Sequence, residues 1–222
     1  MLTLFPDMFE AVMGDSIIGR ARKNNLLEMD FINIRDYSKD KHKRVDDYPY
    51  GAGGGMVMAP QPIYDAYMSV AEKAESKPYV IYMSPQGKVF NQEKARELAK
   101  MPEIVILCGH YEGVDERIIE EIVDEEISIG DYVLTGGEIP AMAIIDSVAR
   151  MIPGVVQNGN SQTESHSDGL LEYPQYTRPP VFMGREVPPI LLSGHEAKIR
   201  EWRYNKSVER TKQKRPDMLK EE

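Results

Sequence analysis

Cysteine is nearly absent from this chain: Cys108 is the only one in 222 residues. A lone thiol closes no internal disulfide, so packing must hold the fold, and a reducing, cytoplasmic setting is expected. No stretch reaches the roughly 20 consecutive apolar residues that a membrane span needs. The opening Met1-Leu-Thr-Leu-Phe-Pro lacks the basic start and long apolar run of a secretory signal. A soluble protein without a membrane partner is therefore expected. Zinc-type spacing is missing as well: Cys108 has no second thiol, and His110, His166 and His195 are scattered, so no metal site is expected. The chain has no Gly-Lys-Ser/Thr phosphate loop and no dinucleotide fingerprint. Positive charge is short overall; a net −9 argues against a generally basic nucleic-acid binder.

What is present is an ordinary globular balance, 41% hydrophobic and 28% charged. The length suits one large domain, or one domain with a small annex. The charge is uneven. Residues 198–215 carry Lys198, Arg200, Arg203, Lys206, Arg210, Lys212, Lys214 and Arg215 against Glu201 and Glu209, a local +6 that leaves −15 elsewhere. A second basic run, Lys39-Asp-Lys-His-Lys-Arg44, sits in an expected loop. Such patches can dock phosphates on an acidic body, although a solvated helix face and a solvated loop explain them equally well.

Along the chain, strands and helices alternate. Strands are expected at Met1–Phe5, Leu27–Ile34, Pro78–Met83, from Ile104, and at Ile127 and Tyr132–Leu134. Helices are expected at Pro6–Gly14, Ser16–Lys23, Gln61–Ser76, Asn91–Lys100 with Asn91 as cap, up to about Val123, and at Ile139–Met151. Alternation of this kind implies a parallel sheet covered on both faces. The stretch 45–55 reads as a glycine-rich loop. From 157 to 168 the chain turns polar, as a linker or lid should, and 171–222 reads as a small, mainly helical annex.

Twice, a short apolar strand runs into a glycine-rich loop: Ile104 to Arg117, and Ile127 to Pro140. With the loop after Met83, three loops would converge at one end of the sheet, where α/β proteins bind ligands. They offer glycine backbone without a cluster of Lys or Arg. That favours a planar, uncharged nucleoside-type ligand over a triphosphate. The same glycines could serve tight turns alone.

Four stretches, Ser84-Pro-Gln-Gly87, Gly109-His-Tyr-Glu-Gly-Val-Asp-Glu-Arg117, Ile129-Gly-Asp-Tyr-Val-Leu-Thr-Gly-Gly-Glu138 and Tyr173-Pro-Gln-Tyr-Thr-Arg-Pro179, resemble the bacterial tRNA (guanine-N1)-methyltransferase family, which modifies guanosine 37. The likeness runs from Leu2 to about Leu219. It implies an α/β fold of SPOUT type, a parallel sheet with a deep trefoil knot, plus a small helical C-terminal domain. The implied divisions are a knotted methyl-donor-binding domain at 1–156, a linker at 157–170 and a tRNA-binding domain at 171–222. It also implies a homodimer with active sites between subunits. General topology argues against knots, so the sequence pattern alone would not suggest one.

By the same resemblance, S-adenosylmethionine is held by Ser84, Pro85, Gln86 and Gly87; by Gly109, Tyr111, Glu112 and Gly113; and by Ile129, Gly130, Asp131, Tyr132, Val133 and Leu134 with Gly136, Gly137 and Pro140. Plain core packing is the alternative for Ile129, Val133 and Leu134. Guanine N1 carries a proton at neutral pH, so its methylation needs a general base. The family's linker aspartate aligns with Glu164, ahead of Ser165 and His166, and Asp168 is the alternative base. Arg150 matches an arginine that would stabilise charge growing on guanine O6; capping a helix end is its alternative role. Asp46, Gly54, Gly55, Glu112 and Ser165 match positions near the target base, which would be flipped from its stack. Family members can require Mg²⁺, for which the sequence offers no dedicated cage. The competing readings are an RNA 2′-O-ribose methyltransferase of the same superfamily and a non-catalytic RNA-binding module.

Overall fold

The computed structural model describes residues 1–51, 54–156, 165–166 and 169–219. The chain divides into two compact units, Met1–Val156 and Gln157–Glu222.

The first unit is built on a five-stranded sheet: β1 (Leu2–Thr3), β2 (Ile32–Asn33), β5 (Tyr79–Val89), β6 (Ile104–Cys108) and β7 (Glu125–Ser128), in the spatial order β2-β1-β6-β5-β7. Every pairing is parallel. Both faces are buried, and the period of two in a strand sends alternate residues to opposite cores. Ile81, Met83, Ile106 and Cys108 join one core with α1 (Pro6–Met13), α2 (Ser16–Lys23), α4 (Gln92–Leu98) and α6 (Glu138–Ala149). Val80, Tyr82, Val105 and Leu107 join the other with α3 (Pro60–Ala71) and α5 (Glu116–Ile122). This double burial is why these strands read as unbroken apolar runs. Asn91 caps α4 as expected, its side chain accepting from the Lys94 N–H at 2.9 Å.

Four local expectations change. The strand expected over Leu27–Ile34 shrinks to Ile32–Asn33, followed by a 3₁₀ turn at Ile34–Tyr37. The glycine-rich loop at 45–55 opens with β3 (Asp46–Asp47), which pairs antiparallel with β4 (Val57–Met58) to make a hairpin arm. β5 continues past Met83, and its register to β7 shifts so that Met83 and Lys88 both face Ile127. Ser84–Gly87 therefore bulges out of the strand instead of ending it. Tyr132–Leu134 forms no strand: the three side chains are solvent-exposed, Val133 by 81%, which also excludes core packing for Val133 and Leu134.

In the second unit an extended strap runs antiparallel along α8 (Glu196–Lys214). Leu171 N–H donates to Thr211 Oγ1 at 2.9 Å, Arg210 donates to the Glu172 carbonyl at 3.1 Å, and Arg203 lies over the Tyr173 ring at 4.8 Å. A hairpin of β8 (Val181–Phe182) and β9 (Arg185–Glu186) adds strand content to a region expected to be mainly helical. Its turn residues Met183 and Gly184 both have positive φ, as a two-residue hairpin turn requires. A short helix α7 (Pro189–Leu192) joins the hairpin to α8.

Candidate functional site

Three segments meet at one end of the sheet: the Ser84–Gly87 bulge within β5, the loop from Gly109 after β6 and the loop from Ile129 after β7. They enclose a cavity of about 410 Å³, within the range of small-ligand sites. Ser84, Pro85, Gln86, Gly109, Tyr111, Glu112, Gly113, Ile129, Gly130, Tyr132, Val133, Leu134, Gly136, Gly137 and Pro140 all line it. Two expected contacts do not. Gly87 packs against the β7 backbone, where a Cβ would overlap Glu126 and Ile127, so its glycine serves strand approach. Asp131 points to solvent.

The loops are tied to one another through their backbones. Gly137 N–H donates to Gly109 O at 2.8 Å, and a Cβ on Gly137 would stand 2.7 Å from Cys108 Cα. Tyr111 and Gly113 adopt positive φ, which turns the Gly109 loop back on itself, and Gly113 N–H reaches His110 O at 3.1 Å. Gly130, also at positive φ, bonds Ser128 Oγ through its N–H at 3.1 Å. The positions are fixed by main chain rather than by side-chain salt links.

Sequence reasoning missed Tyr82, His110, Glu116, Glu126, Ser128 and Thr135, which also line the cavity. Tyr82 was findable: it is the last residue before the bulge on the alternate face of β5. A Cβ at Gly109 would meet its ring at 2.9 Å, so only glycine lets the loop cross there. Burial, with Glu126 adding to it, pushes the Tyr82 hydroxyl up to about 12. Among the described residues no Lys or Arg lines the cavity, whereas Glu112, Glu116 and Glu126 do. The electrostatics are hostile to polyphosphate and permissive for a cation. Cys108, just beneath, is fully buried, and burial pushes its thiol well above the ordinary range; it is a packing residue.

Beside the cavity, the hairpin arm carries the expected base-facing residues. Glu112 N–H donates to Met56 O at 2.9 Å, Met58 N–H to Gly113 O at 2.9 Å, and Asp115 N–H to Met58 O at 3.1 Å. A Cβ at Gly55 would fall 2.5 Å from the Glu112 side chain, so Gly55 and Glu112 are direct neighbours. Asp46 joins them through β4, as the partner of Met58. Gly54 borders open space. Asp115, within the second motif, is a helix cap: its carboxylate accepts from Arg117 N–H at 3.0 Å, and the Arg117 guanidinium holds it below the usual carboxylate range.

Arg150 is the C-terminal cap residue of α6. It continues the outward-facing series Ile139, Ala143 and Asp146 at helical spacing. In the second unit, Ser165 Oγ accepts from Glu172 N–H at 2.9 Å. Glu164 and Asp168 lie outside the described residues. The basic loop at 39–44 is largely self-neutralised: Lys39 pairs with Asp65 at 2.9 Å, Lys43 with Asp36 at 2.7 Å, and Arg44 with Asp40 at 3.0 Å. Its charge is met within the protein, which weakens it as a phosphate dock. Among the described residues no group of His, Cys, Asp and Glu stands close enough to hold a metal ion, and no helix is long and apolar enough to cross a membrane.

Comparison with known proteins adds the lineage. A tRNA (Guanine-1)-methyltransferase TrmD family model matches residues 1–221. A tRNA (guanine-N(1)-)-methyltransferase of Ruminiclostridium cellulolyticum is 64% identical over 99% of this chain and 94% of its own length. Enzymes with the same name from Caldanaerobacter subterraneus and Alkaliphilus oremlandii are 59% and 57% identical, over 99% and 100% of this chain and 90% and 91% of theirs. With the match running through all three cavity loops and the second unit alike, the chain belongs to the TrmD family of tRNA (guanine-1)-methyltransferases.

Proposed function

We propose that this protein transfers a methyl group from S-adenosylmethionine to N1 of guanosine 37 in the tRNA anticodon loop. The observation that carries the donor assignment is the cavity itself: glycine backbone from two of its three segments, carboxylates on the rim, and no Lys or Arg among the described residues. A nucleoside with a sulfonium and an ammonium group fits such a lining; a nucleotide phosphate does not. The donor supplies an electrophilic methyl. The residues assigned to it are those lining the cavity, while Gly87 packs behind the wall against β7 and Asp131 faces solvent.

The acceptor side falls to the arm and the linker. Glu112 and Asp46 would accept from guanine N–H groups, and Gly54 and Gly55 would frame the ring. Glu164, with Ser165 beside it and Asp168 as alternative, would take the N1 proton as the N1–methyl bond forms and the sulfur–methyl bond breaks. Arg150 would stabilise the charge left on O6. We further propose the knotted threading of the loops. Its support is the return of the third loop to Gly109, across the end of a strand that lies between β1 and β5. A homodimer is proposed on the outward stripe of Phe5, Met8 and Val12 on and just before α1, with Ile139 on α6, all exposed; Arg150 ends the same α6 stripe. The second unit, with the cations of α8, would dock the tRNA backbone, and its binding should weaken with salt. The roles of 1–156 and 171–222 as donor and tRNA domains, with 157–170 between them, follow.

Incubation with methyl-labelled donor and tRNA transcripts bearing G or A at position 37 tests the reading. Label on the G transcript alone is expected, and equal label on both refutes it. Glu164→Gln should lower turnover by about 10²–10⁴-fold at unchanged donor affinity. Full turnover in that variant, with none in Asp168→Asn, would move the base to Asp168.

A further inference from the structure

We infer that the Glu138 carboxylate makes the donor cavity selective for a positively charged ligand over a neutral one, and so for the methyl donor over its demethylated product. The inference rests on the proposed donor site.

Glu138 is the first residue of α6 and is 3% exposed, unlike the solvent-facing Glu112 and Glu116. Its Oε1 accepts from the hydroxyl of Thr3, itself fully buried, at 2.8 Å. Thr3 Oγ1 accepts in turn from Phe5 N–H at 3.0 Å. No salt bridge reaches Glu138 among the described residues; the Met1 ammonium acts on the neighbouring Cys108 with the opposite sign but is not hydrogen-bonded to the carboxylate, donating instead to the Asp30 carbonyl. The negative charge reaches its surroundings: together with burial it pushes up the Cys108 thiol. It also stands directly behind the cavity wall. A Cβ at Gly136, which lines the cavity, would lie 2.6 Å from Glu138 Oε2 and 2.9 Å from the His110 ring. Gly136 and His110, both lining the cavity, are therefore the neighbours of the carboxylate on its cavity side.

Charges on exposed side chains are screened by water and salt, whereas a buried one is screened much less. A buried carboxylate without a cationic partner is costly to fold around, and a hydroxyl acceptor alone would be served by glutamine. A cation in the adjacent cavity gives the charge a role. Donor and product share the adenosyl and amino-acid parts and differ in the sulfur: the sulfonium is positive, the thioether neutral.

The test measures dissociation constants by calorimetry on the full-length chain at pH 8, where an ordinary imidazole is neutral. The probes are S-adenosylmethionine, S-adenosylhomocysteine and sinefungin, which places an amine where the sulfonium sits. Glu138→Gln should weaken both cationic ligands by about fivefold to fifteenfold, the scale of one charge pair roughly 10 Å apart at an effective dielectric of ~20–40. The homocysteine analogue should change by less than twofold. Glu138→Asp should keep most of the discrimination, and Glu138→Met, uncharged and similar in volume, reports the same ratio should the glutamine variant not fold. Equal weakening of all three ligands, or no change in any, overturns the inference and leaves the donor site standing. A wild-type chain that binds none of them overturns the donor site, and the inference with it.

Discussion

Replacing Gly137 by alanine asks whether contact between the third loop and β6 sets the shape of the donor cavity. Gly137 has φ −81° and ψ −7°, which alanine adopts without strain. The cost is therefore steric. The new Cβ would stand 2.7 Å from Cys108 Cα and 2.9 Å from Gly109 N, about 1 Å inside the ~3.5–4.0 Å of ordinary carbon contact. Both neighbours are backbone and cannot swing aside. Relief requires the loop to lift, which lengthens the 2.8 Å bond from Gly137 N–H to Gly109 O. Overpacking of this kind costs about 1–3 kcal/mol, a fall of roughly 2–10 °C in Tm for a protein of this size. Since the lifted loop is also a cavity wall, donor affinity should fall by more than about tenfold, equivalent to ~1.4 kcal/mol. Gly54→Ala, with open space around its Cβ, should shift stability by less than about 0.5 kcal/mol and leave donor affinity unchanged. Thermal denaturation and calorimetric titration read both quantities. Wild-type Tm and wild-type donor affinity in Gly137→Ala would refute the reasoning.

Three further outcomes are expected. The Tyr82 hydroxyl titrates near 12 when folded against 10 for the free group, so the folded chain holds a proton that the unfolded chain has lost between those values. Stability should fall by about 2–3 kcal/mol as pH rises from 10 to 12, and denaturation of Tyr82→Phe should show a shallower decline over that window. Thr211→Val deprives the Leu171 N–H of its acceptor and should cost about 1–3 kcal/mol in the second unit, weakening tRNA retention on filters while donor binding stays intact. If subunits share active sites, mixing Arg150→Ala and Glu164→Gln chains should restore roughly a quarter of wild-type methylation through heterodimers with one intact site; activity no higher than either parent would assign each site to a single chain.

Much of this protein is legible in its residues alone. Two-face burial leaves its mark as apolar runs such as Tyr79–Met83 and Ile104–Cys108, so the parallel sheet could be read directly. The Asn91 cap and the span Ser16–Lys23 were equally plain, because capping and helical periodicity are local. Glycine loops poor in Lys and Arg pointed to a planar, uncharged nucleoside-type ligand rather than a triphosphate, an argument that needs composition alone. Other features had no local signal. The bulge at Ser84–Gly87 exists because β5 resumes pairing with β7 at Lys88, a decision made by a strand some forty residues away. Tyr132–Leu134 is as apolar as a strand, yet it is exposed because the chain there spans an opening instead of joining the sheet. The paired charges of 39–44 depend on Asp36 and Asp65, which only folding brings near. Thr3 and Glu138 lie 135 positions apart, and nothing around either residue announces the other. Sequence determines which residues face inward, because burial repeats at the period of each element. Tertiary structure alone decides which inward residues meet, and in this protein those meetings shape the cavity and set its charge.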